Sequence, residues 1–317
     1  MPQLSDVHLA RRLSLVTGPP RSGTTAIGEM LGLADGTSVL HEPMNPEGGD
    51  ASVQRPFRKV GHEGYVRDQL YDLMERISAL KLKMQDGIFP GDPLVKRISK
   101  KVVGGRSNHS LWRARLKPKT RHILWKDPFA LFLAEDIARL DQVNTIVTYR
   151  PPHAIAASFK RLKWKLNCYK HQDGLPERYK LGASFGEDHT SNSAKSGTAF
   201  WYLSYGYLLD MAKQYKNIRF INIDRVIDDP VASYQTMFDY LGLPFSADIQ
   251  KKVESEYAVS STPKSDTPDH HTHTKNRNVQ AVNTYWKSVL DEEEISYIDG
   301  TCSELMRKIE QSKVFLN

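Results

Sequence analysis

The chain has 317 residues, 39% hydrophobic and 26% charged, with a formal net charge of +7. That length can bury a substantial core, and no run approaches the roughly eighteen uninterrupted apolar residues of a membrane helix. The two cysteines, Cys168 and Cys302, have no metal-like spacing, and Met1 to Arg12 lacks the apolar centre of a secretory signal; the composition reads as one cytoplasmic domain whose basic charge suits acidic partners.

The first strand is expected over Leu13–Thr17 and the first helix over Thr25–Leu33. Between them lie Gly18, Pro19, Pro20, Arg21, Ser22, Gly23, Thr24 and Thr25. A strand, a glycine turn and a helix start together form a phosphate cradle, because free backbone N–H groups and the helix dipole converge on one spot. An ATP or GTP loop would carry lysine after the second glycine, but Thr24 stands there and the cation is Arg21. The loop is therefore expected to hold a 5′-phosphate with no lysine reaching for a γ-phosphate.

The stretch Glu47–Thr120 breaks the strand–helix alternation. It offers one helix, Tyr65–Lys81, then glycine and proline punctuation, and from Pro93 to Lys126 eleven Lys or Arg with no Asp or Glu. Residues 47–120 read as a basic, partly helical insertion that caps the site within a single domain spanning 1–317. Further strands are expected at His122–Trp125, Thr145–Tyr149 and Ile218–Ile223, and helices at Ala130–Leu140, Pro152–Leu162, Thr198–Tyr215, Pro230–Leu241 and Glu292–Glu310. This order implies an α/β fold of three layers, a central parallel sheet flanked by helices, with ligands beyond the carboxyl ends of the strands. Gln172–Ser196 and Ser260–Asn278 are polar and read as loops, and His270, His271 and His273 read as part of the second loop rather than as metal ligands. At the end of the Thr145–Tyr149 strand stands Arg150, with Ser158 two turns into the helix that Pro151 or Pro152 starts. A guanidinium paired with a hydroxyl suits a second, separate phosphate.

These two signatures, in this order, resemble the sulfotransferases that use 3′-phosphoadenosine 5′-phosphosulfate (PAPS). In that family a P-[KR]-S-G-T-T loop binds the 5′-phosphosulfate and an R-x₇-S element binds the 3′-phosphate. The resemblance implies a P-loop-type fold and donor binding by Pro20, Arg21, Ser22, Gly23, Thr24, Thr25, Arg150 and Ser158. It also implies a late loop, here Lys275 and Asn276, closing over the 3′-phosphate, and a hydroxyl near the cofactor at Thr284. Ile221–Pro230, Tyr240–Phe245 and Trp286–Lys287 carry it further, so that it spans roughly 13–42 and 121–310. The chain departs from the small-molecule branch, which has lysine in the first loop and a catalytic histidine where Lys126 stands. It is similar instead to the branch acting on protein tyrosines and on several sugars, with P-R-S-G-T-T, a downstream glutamate matched by Glu42, and a K-D-P strand end matched by Lys126, Asp127 and Pro128.

Sulfuryl transfer, like phosphoryl transfer, is in-line and loose, so catalysis is mostly positioning and charge stabilisation. Glu42 is the expected base, made more basic if the closed site is dry. Arg21 would neutralise the leaving phosphate, and Lys126 would steady the sulfuryl oxygens or pair structurally with Glu42 or Asp127. PAPS is the expected donor and PAP (adenosine 3′,5′-bisphosphate) the product, with no metal. The expected acceptor is a hydroxyl, on a glycan because the His41-Glu42-Pro43 context resembles bacterial-type polysaccharide sulfotransferases and the insertion is basic, with a peptide tyrosine, a lipid or a small alcohol as alternatives. Two other accounts compete. One is a magnesium-dependent phosphoryl-transfer enzyme using Asp127; the other is a non-catalytic polyanion binder, which would need neither Glu42 nor Lys126. The aromatic–basic interleaving of RNA readers is not evident, so no nucleic-acid partner is expected.

Overall fold

A computed structural model describes residues 7–85, 105–182, 185–186, 188–258 and 284–317. Five parallel strands form the central sheet: β1 (Arg12–Thr17), β2 (Thr37–His41), β3 (His122–Lys126), β4 (Asn144–Tyr149) and β5 (Ile218–Asn222). Their spatial order is β2-β3-β1-β4-β5. Helices α1 (Thr24–Leu31), α2 (Arg67–Ala79), α3 (Arg106–Leu116), α4 (Ala134–Ala138), α5 (Pro152–Leu162) and α6 (Cys168–Gln172) precede the long α7 (Ser193–Gln214). Then come α8 (Ile223–Asp228), α9 (Pro230–Leu241), α10 (Ala247–Tyr257) and α11 (Glu292–Glu310). Among the described residues no helix is long and apolar enough to cross a membrane.

Strand periodicity sorts the side chains between two faces. On one, Val16, Leu124, Ile146 and Ile221 pack with Ile27 and Leu31 of α1 and Met237, Phe238 and Leu241 of α9. On the other, Leu13, Leu15, Ile123 and Trp125 meet Leu70, Met74 and Ile77 of α2. Further along that face Val147, Tyr149 and Phe220 meet Phe200, Trp201 and Tyr205 of α7. Both faces are covered, as a parallel sheet requires, so the α/β expectation holds.

Sequence reading omitted β2, α3, α10 and the short helices α6 and α8. The helix expected over Ala130–Leu140 begins instead as a 3₁₀ turn, Pro128–Leu133, and continues as α4. Pro128 suits a helix start, and the Asp127 carboxylate accepts from Phe129 N–H, so the turn forms two residues earlier than apolar spacing suggested. The polar stretch Gln172–Ser196 is not loop to its end, because Asn192 caps α7 by accepting from Lys195 N–H at 3.0 Å.

Register places the functional ends together. His41 and Val16 both pair with Lys126, and Thr17 pairs with Val147. The loops after β1, β2, β3 and β4 therefore leave the sheet at one level, on either side of β1 where the winding reverses.

At the opposite end His122 is buried with Nε2 3.0 Å from Ser14 Oγ. Burial, helped by the Arg12 charge, lowers its pKa from 6.5 to about 4. The folded chain keeps this imidazole neutral where the unfolded chain would protonate it, so stability is present above 6.5 and lost as pH falls toward 4. Urea unfolding should show wild type losing on the order of 3 kcal/mol more than His122→Asn across that window. Parallel losses in the two proteins would contradict the assignment.

Candidate active site

The chain turns out of β1 at Gly18, whose φ of +145° is a glycine conformation. A Cβ there would lie 2.6 Å from Thr148 Oγ1, 2.7 Å from Ser22 Oγ and 2.8 Å from the Thr148 carbonyl. Only a bare α-carbon lets the loop press against the end of β4. Ser22 N–H closes the turn on Pro19 O at 3.1 Å, and Gly23 caps α1. Past the cap, the first N–H groups of α1 have no intrahelical partner and face the loop. Ser22 Oγ lies 2.6 Å from Thr148 Oγ1, and Thr148 Oγ1 donates onward to Thr17 O at 3.3 Å. Ser22 and Thr24 are buried, whereas Pro20, Arg21, Gly23 and Thr25 are half-buried.

Arg21 has a φ of +77°, a left-handed backbone that a non-glycine residue adopts at a cost. That turn aims its side chain across to α5, where Nε donates to Ser158 Oγ at 2.9 Å. Arg150, at the end of β4, donates from Nη1 to the Arg21 carbonyl at 3.4 Å. The two phosphate signatures are thus in direct contact.

Their support comes from α7. Trp201 Nε1–H donates to Arg150 O at 2.8 Å, Tyr205 O–H donates to Thr148 O at 2.7 Å, and Arg150 N–H donates to Tyr205 Oη at 3.2 Å. Trp201 and Tyr205 belong to the core cluster between α7 and the sheet. They are fully buried, and their polar ends also fix the backbone beneath Arg150.

Glu42 follows β2 with a φ of +50°, a second left-handed non-glycine residue at the same end of the sheet. Its N–H donates to Lys126 O at 2.8 Å, continuing the β2–β3 ladder by one residue. Lys126 is wholly buried, and its Nζ donates to Glu42 Oε1 at 2.7 Å; Asn45 Nδ2 donates to Oε2 at 3.0 Å. Gly28 of α1 makes room for the lysine stem, since a Cβ there would meet Lys126 Cγ at 2.8 Å. Burial pushes the Glu42 pKa up, but the charge and hydrogen bond of Lys126, the Asn45 amide and the charge of Arg106 together bring it below its ordinary value. The expected rise in basicity is corrected accordingly: enclosure alone would cause it, and the adjacent ammonium reverses it.

Asp127 has a different place from the magnesium ligand of the competing account. Its carboxyl is fully buried, with Oδ2 accepting from Met44 N–H at 2.6 Å and Trp125 Nε1–H at 3.0 Å, and Oδ1 from Phe129 N–H at 2.9 Å. Burial and the neighbouring Glu42 charge raise its pKa to about 7 against those three donors. Asp127 therefore ties the loop after β2 to the loop after β3. No group of three or more His, Cys, Asp or Glu able to hold a metal occurs among the described residues.

Thr284 is exposed at the start of the 3₁₀ turn Tyr285–Ser288. That turn lies on α5, with Trp286 against His153 at 4.6 Å between ring centroids. Lys275, Asn276 and the three histidines lie outside the described residues. Sequence reading also missed Thr148, Asn45 and Arg106. Thr148 had a usable signal, as a polar residue inside the strand that delivers Arg150.

The sulfotransferase domain family profile matches residues 12–310. The chain belongs to the sulfotransferase family. Its enzymatic character as a sulfotransferase follows, and the match runs through the basic insertion, which the sequence resemblance had left outside. Among curated proteins none matches this sequence. Solved sulfotransferase structures resemble the chain at low identity. One is the sulfotransferase domain of a Synechococcus PCC 7002 olefin synthase (14% identity, covering 94% of this chain and 97% of that one, TM-score 0.42). Another is the sulfotransferase domain from the curacin biosynthetic pathway (13%, 92% and 97%, TM-score 0.44). A third is mouse SULT7A1 complexed with PAP (15%, 96% and 86%, TM-score 0.43).

The electrostatic account of Glu42 is testable without a substrate. Lys126→Met removes the charge and the hydrogen bond that hold its pKa down, leaving burial unopposed by its nearest cation. Carbon-13 NMR of glutamate-labelled protein should show the Glu42 carboxyl titrating at higher pH in the variant; an unchanged titration would contradict it.

Proposed function

We propose that this sulfotransferase moves the sulfuryl group of PAPS to a hydroxyl of a glycan, with Glu42 as general base. The observation that carries the reading is the contact between the two anion-binding elements, Arg21 Nε on Ser158 Oγ and Arg150 Nη1 on Arg21 O. A donor with phosphates at both the 5′ and 3′ positions of one ribose needs two such grips side by side, whereas ATP needs one continuous cradle. The loop fits a 5′-phosphate because Gly18 lets it close against the end of β4 and α1 presents its N-terminus.

In this reading Pro20 to Thr25 cradle the 5′-phosphosulfate, Arg150 and Ser158 take the 3′-phosphate with Lys275 and Asn276 as further partners, and Thr284 places a hydroxyl near the cofactor. When bound, the donor supplies an electrophilic sulfur whose leaving group is a phosphate, giving PAP. Arg21 and the amides at the start of α1 place positive charge where that phosphate becomes more anionic. Glu42, held below its ordinary pKa, is ionised at neutral pH and oriented through both oxygens, so it meets the acceptor O–H as a fixed acceptor. Lys126 stabilises charge on the transferring group and keeps Glu42 in its strained turn. The donor's charge is met by Arg and Lys, and Asp127 has both oxygens engaged by N–H groups, which argues against a magnesium-dependent phosphoryl transfer through it. The glycan assignment is supported by the His41-Glu42-Pro43 context and by the basic helix α3 beside it.

Thermal unfolding discriminates the donor, since a ligand that binds only the folded chain stabilises it by about 2.7 kcal/mol at a hundred times its Kd. PAP should raise the midpoint more than 5′-AMP or ATP with Mg²⁺; strong stabilisation by ATP–Mg²⁺ with none by PAP would overturn the reading. Glu42→Gln should keep PAP affinity within twofold while slowing sulfate transfer by on the order of 10²–10⁴-fold. Turnover at the wild-type rate would remove Glu42 from the base role.

A further inference from the structure

Beside the base runs a groove that the donor reading leaves unused. It encloses about 770 Å³ between the C-terminal half of α1, strand β2 and helix α3, within the range of roughly 300–1,000 Å³ that organic ligands occupy. His41 lines one end, next to Glu42, and Thr37 and Lys117 line the other, so the groove follows β2 along its length. Five residues of strand at about 3.3 Å each make a track of about 16 Å, which suits an extended chain better than a single small ion.

The wall is basic for a structural reason. Strand β2 is the edge of the sheet, and α3 covers it: Ser110 Oγ accepts from His41 N–H at 3.0 Å, and Lys117 Nζ donates to Thr37 O at 2.8 Å. These two anchors, one at each end, fix the rotation of α3 about its axis. Arg106, His109, Arg113 and Lys117, at helical spacings of three and four residues, then share the groove side. Among the described lining residues Glu29 is the one acid, and it is paired with Arg106. Among the described residues no carboxylate pairs with Arg113 or His109. Leu116, 60% exposed, is on the same helix and adds apolar surface to the lining beside these basic side chains. The charge reaches the chemistry, because Arg106 contributes to lowering the Glu42 pKa.

We infer that the α3–β2 groove is the acceptor track and that the acceptor is an anionic glycan chain carrying carboxylate or sulfate groups, held by Arg113 and His109 with its reacting hydroxyl presented at Glu42. This rests on the proposed glycan sulfotransferase reading and narrows it to acidic acceptors. Basic side chains spaced along a track match a chain with repeating anions, and Leu116 in the lining offers apolar surface to the face of a sugar ring. A neutral glycan would leave the cations with nothing to meet.

The test titrates the full chain, saturated with PAP, with four probes: an oligogalacturonate hexasaccharide, a sulfated dextran hexasaccharide, neutral maltohexaose and a single-stranded oligodeoxynucleotide. At least one of the two anionic hexasaccharides should bind, its affinity falling as salt rises, and maltohexaose should not. Which one binds distinguishes carboxylate from sulfate recognition. Arg113→Glu and His109→Glu, both at exposed positions, should each weaken that binding at least tenfold while leaving the Kd for PAP within twofold; Arg113→Gln should fall between. The inference is overturned if neither anionic hexasaccharide binds, if the α3 variants bind as wild type does, if maltohexaose binds equally well, or if the oligodeoxynucleotide binds more tightly with the same dependence on α3. Failure of PAP to bind at the outset would count against the donor reading, separately from the hexasaccharide results.

Discussion

An ammonium group fully withdrawn from water is tolerable only beside a carboxylate, and Lys126 is such a group. Glu42, 2.7 Å away, is what makes its position possible, and the register His41↔Lys126 is what brings Glu42 there. Much of the architecture serves this pair. Gly28 lets α1 close over the lysine stem, Asp127 holds the two flanking loops by three N–H groups, and α3 locks β2 from outside. The pair is preorganised by the fold before any ligand arrives, which is the condition under which fixed charges contribute most to a transfer reaction.

A second constraint couples the strand ends. Gly18 against Thr148, Ser22 against Thr148 and Arg21 against Ser158 make the loop after β1 and the loop after β4 a single unit. Tyr205 and Trp201 brace that unit from α7, so the spacing of Arg21 and Arg150 is set by helix packing rather than by loop flexibility. Two non-glycine residues with positive φ, Arg21 and Glu42, sit at this end of the sheet. Strain held at the positions that carry the charges is the pattern expected of a site whose geometry is imposed by its surroundings.

The parts of this site legible in the sequence were those whose signal is local. Strand, glycine turn and helix lie within residues 12–31, and Arg150 precedes and Ser158 lies within a proline-started helix, so a few neighbouring residues suffice to read each. Strand β2 escaped because Thr37–His41 is short and only Val39 and Leu40 of its residues are apolar. Helix α3 escaped because it lies in a run of cations and no side chain caps its start at Gly105. Asp127 looked like a ligand for an ion, since sequence cannot show that Met44, Trp125 and Phe129 direct N–H groups at it. The pairing of Lys126 with Glu42 spans 84 residues and depends on strand register, which one sequence does not reveal.

The central claim is that one doubly anchored nucleotide bridges the turns after β1 and β4, next to the Lys126–Glu42 pair. A crystal structure of the chain with adenosine 3′,5′-bisphosphate tests this most directly. The account predicts the 5′-phosphate on the amides of residues 22–25 and the 3′-phosphate within hydrogen-bonding distance of Arg150 and Ser158, with Glu42 facing open space beside the 5′ end. A nucleotide bound elsewhere, or one whose 3′-phosphate points to solvent away from Arg150, would contradict it.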